Sequence, residues 1–275
     1  MITIINNIMV GTSSINITTT IPPIIHQIWI QGYDKIPDSL KILHNGCKST
    51  NDNFKFIFWD EPRIKKLLLK YFGKKYVDAY DTYQIFAQKS DFARYAILYI
   101  YGGIYLDMDM ICRKNLTPFL NYNFFCTTDS IYFFILSKKY LNGIMGAKKK
   151  HPVFPFIFKN MFERLLDSSY VLYSTGPKLL YDAVTDYKKT TGMDDITVID
   201  RKYLHPCITY DDDSCPYTCN DCYIAHTNYG SWGTSYSKLF NKYIVRNLKV
   251  ILVIVALFIL FIIFRSGLFR STKYM

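Results

Sequence analysis

Short apolar stretches alternating with amphipathic helical ones predict an α/β fold, a mostly parallel sheet flanked by helices. Two observations sharpen this. Prolines fall at the starts of helical segments, and one helix breaks at Gly102-Gly103 and resumes as an apolar strand ending in two carboxylates. A wholly apolar segment near the carboxyl end adds a single predicted transmembrane helix.

Taken in order, residues 1–21 form an Ile/Asn/Thr-rich tail without a basic leader region, so no signal peptide is expected there. Ile24 to Trp29 (IIHQIW) reads as the first buried strand, and Gly32 and Pro37 mark a loop. Leu40 to Cys47 reads as a helix, and Phe54 to Trp59 alternates as a second strand. Asp60-Glu61-Pro62 opens a helix whose core face is Leu67 to Leu69, and Tyr76 to Tyr83 leads into the central helix. Beyond the aspartates, Phe124-Phe125 and Ile131 to Leu136 read as strand, and Ile157 to Leu166 as helix. Thr175-Gly176-Pro177 opens another helix, and Thr197 to Ile199 is a short strand. No internal repeat or second domain is evident.

The formal charge of +11 suggests a nucleic-acid partner until it is located. Seven basic residues and no acid lie between Tyr236 and Met275, which leaves 26 basic against 22 acidic elsewhere. The excess therefore flanks a membrane segment, and no nucleic-acid partner is expected. Residues 236–249 are a basic juxtamembrane stretch, Val250 to Phe264 the membrane helix, and 265–275 a short tail. Fifteen helical residues span only about 22 Å, so Lys249 and Arg265 must snorkel for the segment to cross. Four basic residues precede it and three follow, too even to orient it.

In an extended strand, residues i and i+2 face the same side, so Asp107 and Asp109 are expected to project together with Met108 opposite. Paired oxygen ligands suit a hard divalent cation, which in turn suits a phosphate. Asp91 and Arg94 lie three apart on the preceding helix and can lean over the same spot, although an ordinary ion pair has that spacing too. Cys207, Cys215, Cys219 and Cys222 crowd together, as two disulfides, a zinc site or unpaired thiols, while Cys47, Cys112 and Cys126 read as buried thiols. Asn16 and Asn115 head potential glycosylation sequons.

With these residues in hand the chain resembles glycosyltransferase family 32. The motifs that carry the resemblance run in order: IPPIIHQIW, SDFARYAILYIYGGIYLDMD, Asn142 with MGAKKKHPVF, STGPKLL, and His226 followed by Gly230-Ser231-Trp232. Within the family it is similar to the enzymes that mannosylate inositol phosphoceramide. The resemblance implies a GT-A-type, Rossmann-like catalytic domain over 22–235, retention of anomeric configuration, and a manganese (or magnesium) ion. It implies a nucleotide-sugar donor, GDP-mannose foremost, and a lipid or glycan acceptor at a Golgi- or ER-type membrane, with either side open for the catalytic domain. A regulatory subunit is compatible but no motif names one.

Carried onto this sequence, Asp109 is the first metal ligand, with Asp107 either binding the metal through water or holding donor ribose and sugar. Asp91 would accept hydrogen bonds from sugar hydroxyls, and Arg94 would brace the sugar or diphosphate. Trp29 would stack on the nucleotide base, His226 and Ser231 would return to the metal or pyrophosphate, and Trp232 would wall the site. Gly176 and His151 would shape the acceptor side. Two other readings fit parts of the pattern. An aspartate-nucleophile phosphatase would use Asp107 as nucleophile and Asp109 as acid/base, but leaves the SDFAR helix without a role. A membrane-tethered nucleotide-sugar-binding protein would keep the fold without turnover.

Overall fold

A computed structural model describes residues 20–128, 139–166, 170–207, 214–227, 229, 243–244 and 247–265, the side chains of 248 and 249 excepted. Strands are β1 Ile24–Ile28, β2 Lys55–Trp59, β3 Gly103–Leu106, β4 Met110–Cys112, β5 Phe124–Thr128, β6 Tyr140–Ala147, β7 Ile196–Ile199 and β8 Ile224–His226. Helices are α1 Asp38–Thr50, α2 Glu61–Phe72, α3 Lys74–Thr82, α4 Phe86–Tyr101, α5 Val153–Glu163, α6 Val171–Ser174, α7 Pro177–Thr191, α8 Arg201–Leu204, α9 Cys215–Thr218 and α10 Leu248–Arg265.

The main sheet has six strands in the order β2-β1-β3-β6-β5-β7, and β4 pairs with β8 in a separate ribbon. The pairings make β6 antiparallel to both neighbours and the other five strands parallel to one another. The result is an α/β fold with a mixed, mostly parallel sheet. Alternation along β3 feeds two cores: Tyr105 joins the larger one, with α4, α5 and α7, while Ile104 and Leu106 join the one on the opposite face. The β6 strand is not apparent in the sequence because Asn142, Gly143 and Gly146 interrupt its apolar pattern. Gly146 is there because a Cβ would lie 2.0 Å from the Phe125 ring. The expected strand over 131–136 falls outside the described residues.

Gly102 and Gly103 both take left-handed backbone, at φ 63° and 98°, which ends α4 and starts β3 in two residues. A Cβ on Gly103 would sit 2.6 Å from the Ile24 carbonyl oxygen, so strand packing fills this space. His26, fully buried on β1, braces the turn. Its Nδ1 accepts from the Trp59 indole N–H at 3.1 Å, which leaves Nε2 to donate to the Gly102 carbonyl at 2.9 Å. Burial drives the His26 pKa down to about 4, so this bonding pattern belongs to the neutral ring.

Two of the three cysteines expected as thiols form a disulfide, Cys47–Cys112, which joins α1 to β4 across 65 residues. A pairing so distant in sequence leaves no local signal. Cys207–Cys215 and Cys219–Cys222 are also bridged, the disulfide alternative among the three expected, and Cys126 is a buried thiol. Asn115 is committed locally: its amide donates to Thr50 and Asn53, and its oxygen accepts from Thr117.

The predicted membrane segment folds as α10, with apolar side chains from Leu257 to Ile262 about half exposed or more around the whole circumference. Among the described residues no helix is long and apolar enough to cross a membrane.

Two outcomes follow. The unfolded chain takes up a proton at His26 near pH 6.5, whereas the folded chain stays neutral there until about pH 4. Stability is therefore complete above pH 6.5 and declines as pH falls toward 4, by on the order of 2–3 kcal/mol from this residue. Urea midpoints at pH 7.5 and 5 should show the decline, and His26→Gln should reduce it without abolishing it, because buried His44, His151 and His205 are shifted the same way. Replacing Cys47 and Cys112 together by serine should cost about 4 kcal/mol, the loop-closure value for a ring of this size, read as a lowered thermal midpoint against the parent chain.

Candidate active site

The aspartates sit just past β3, in a turn closed by the Met110 N–H on the Asp107 carbonyl at 3.3 Å. Their convergence thus comes from a turn and not from strand alternation, because the chain must reverse to enter β4. Met108 points away, as expected, and packs with Ile36 and Leu40. Asp107 is anchored at the backbone by its N–H donating to the Gly143 carbonyl at 2.9 Å. The ribbon then brings His226, paired with Met110, to the same place. His226 Nε2 lies 3.3 Å from Asp109 Oδ1 and 4.0 Å from Asp107 Oδ2. Asp109 is fixed from the far side as well: Thr227 donates twice to its carbonyl, and the Tyr229 N–H donates to Oδ2 at 3.1 Å.

The two oxygens of Asp107 are differently engaged. Oδ1 accepts from the Tyr105 hydroxyl at 2.7 Å and pairs with Arg94 at 3.1 Å. Oδ2 faces His226 and lies beside Gly143, where a Cβ would approach it to 2.5 Å. Asp107, Asp109 and His226 each offer one ligand atom, and these atoms lie within 4.8 Å of one another. Two carboxylates and an imidazole make a donor set that suits Mn²⁺ or Mg²⁺, and they are only partly buried, so an ion and its substrate can reach them.

Behind this trio lies a buried polar network. Arg94, 5 % exposed, spans Asp91 at 3.2 Å and Asp107 at 3.1 Å, donates to the Asn142 carbonyl at 2.8 Å, and stacks on the Tyr105 ring. Asp91, also 5 % exposed, has both oxygens occupied: Oδ1 by Asn142 at 2.8 Å and Arg94, Oδ2 by the Thr175 hydroxyl at 2.7 Å. A sugar hydroxyl reaching Asp91 would have to replace one of these bonds. Burial pushes the Asp91 carboxyl up to about 6, against the pull of Arg94 and Thr175. Burial raises the Asp107 carboxyl as well, with Arg94 opposing. At Arg94 burial works against the charge, and the facing carboxylates, Asp107 foremost, outweigh it.

Trp29 follows β1 and is half-buried against the Met108 cluster, and its indole N–H has no partner among the described residues. Ser231 and Trp232 lie outside the described residues. His151 and Gly176 are distant in role: His151 is fully buried beside Asp195 at 3.2 Å, and Gly176 precedes α7. Tyr105, Asn142 and Thr175 were not singled out as site residues. The one cue for all three is that they fall within the motif segments that carry the family resemblance.

Residues 37–126 match the family described as "Glycosyltransferase sugar-binding region containing DXD motif". "Uncharacterized glycosyltransferase L373" of Acanthamoeba polyphaga mimivirus is 54 % identical over 82 % of this chain and 90 % of its own length. "Inositol phosphoceramide mannosyltransferase 3" of Schizosaccharomyces pombe is 30 % identical over 60 % of this chain, which spans 45 % of that protein. Among solved structures, "PaToxG Glycosyltransferase" aligns at a TM-score of 0.45 and 19 % identity, over 63 % of this chain and 72 % of that one.

The slot beside Gly143 gives a direct test of the carboxylate placement. Gly143→Ala should push Asp107 Oδ2 aside and weaken Mn²⁺ binding roughly 10- to 100-fold, the usual range for disturbing the support of a metal ligand. Calorimetric titration of the ion reads this, with the circular dichroism spectrum unchanged.

Proposed function

Because the chain belongs to the family of glycosyltransferases that carry a DXD sugar-binding region, we propose that it is a retaining, metal-dependent hexosyltransferase. On this reading it moves mannose from GDP-mannose onto a lipid of the inositol phosphoceramide kind, or onto a glycan, at a membrane. The observation that carries the reading is the meeting of Asp107, Asp109 and His226 beyond the end of a central parallel strand. Mannosyltransferases among the yeast relatives support the sugar and the lipid class.

Asp109, Asp107 and His226 would hold the ion, Mn²⁺ or Mg²⁺, which supplies Lewis acidity to a departing diphosphate. Arg94 favours the ionised form of Asp107 against the effect of burial and aims it by holding its Oδ1, which leaves Oδ2 toward the ion site. Asp91 acts through Arg94, holding the guanidinium in place from its other side, and is a positioning residue on this geometry. Trp29, half-buried at the end of β1, would offer its ring to the nucleotide base.

The basic, apolar carboxyl-terminal segment attaches the enzyme to an endomembrane of the Golgi or ER type, with flanking lysine and arginine at the headgroups. Three disulfides support an oxidising, lumenal side for the catalytic domain.

Purified full-length protein with Mn²⁺ and a panel of nucleotide sugars should hydrolyse GDP-mannose in preference to the others. Asp109→Ala should lower that rate about 100-fold or more, because the ion contributes several kcal/mol of charge stabilisation. Hydrolysis undiminished in this variant removes the proposed site.

A further inference from the structure

Charge on the body of this protein is not evenly spread. Outside residues 236–275 the basic surplus is only four, yet residues 62–77 hold six basic residues and no acid. On α2, Ile64, Leu67 and Leu68 face the core, while Arg63, Lys66, Leu69 and Lys70 face solvent at helical spacing. The acids nearby are already engaged: Glu61 with Lys89, Asp81 with Lys65, and Asp78 with Lys74. Arg63, Lys66, Lys70 and Lys75 have no carboxylate partner among the described residues. Amid them one apolar side chain stands in water, Leu69 at 60 % exposure.

We propose that this outward face of α2 docks the catalytic body on an anionic lipid surface. Lysine stems lie along apolar surface while their heads meet headgroup phosphates, and Leu69 enters the headgroup layer beside them. An acidic protein would match the charge alone; the exposed leucine set among the lysines favours a bilayer. The proposal rests on the enzyme working at a membrane, but not on α10 being its anchor.

The test uses the full chain carrying an environment-sensitive fluorophore on Leu69→Cys. Vesicles of phosphatidylcholine with phosphatidylserine should shift its emission to the blue, and phosphatidylcholine alone should not. Lys66→Glu with Lys70→Glu should weaken the response by more than tenfold, since each surface lysine is worth roughly 1 kcal/mol, or about fivefold. Raised salt should weaken it too. Vesicle binding with the label still water-like, or a response unchanged in the charge-reversed protein, overturns the proposal. An equal response to soluble polyglutamate reassigns the face to acidic polypeptides and overturns the lipid assignment. Donor hydrolysis is measured alongside. It should be the same in the charge-reversed protein, so a failed docking result leaves the catalytic reading standing, and absent hydrolysis leaves the fluorescence result standing.

Discussion

A single guanidinium placed between two carboxylates organises the candidate site. Arg94 is taken almost wholly out of water, which is costly for a charge unless partners surround it. Asp91 and Asp107 supply those partners from different elements, and the Asn142 carbonyl and Tyr105 ring occupy what remains of its surface. The arrangement is mutually dependent. Removing the guanidinium would strand one buried carboxylate and unpin another, a loss in the range of 3–5 kcal/mol for broken buried pairs. The fixed fork of arginine also explains the geometry: it spans two acids at once, which the point charge of lysine cannot do.

The same network ties three segments together. Asp91 and Arg94 come from α4, Asn142 from β6, and Thr175 from the end of α6. Each contributes a hydrogen bond that none of the others replaces, so the position of Asp107 is set by the assembled domain and not by its own turn alone. Such fully satisfied buried networks rigidify the groups they hold, and a rigid carboxylate is what an ion site of few protein ligands requires.

What could be read from the chain beforehand was local or periodic. The Asp91–Arg94 pairing follows from helix spacing, and the glycine break before the aspartates from the preference of glycine for left-handed backbone. The nearness of Asp107 and Asp109 was expected for a reason the structure replaces, since a turn brings them together. His226 was reached through resemblance, because no rule of spacing links it to a residue 117 positions earlier. Tyr105 bonds Asp107 two residues on, whereas the roles of His26 and Thr175 depend on contacts between distant elements. So does the Cys47–Cys112 bridge. The β6 strand was missed because two glycines and an asparagine look like a loop, whereas Gly143 makes room for a carboxylate and Gly146 for a ring.

The three-rung ribbon of β4 and β8 has a consequence for how the protein comes into being. Its rungs join chain segments more than a hundred residues apart, a separation that folding reaches late. During synthesis the body of the sheet through β7 can assemble while the imidazole is still unmade. The candidate ion site is therefore incomplete in the nascent chain until β8 is threaded back alongside β4.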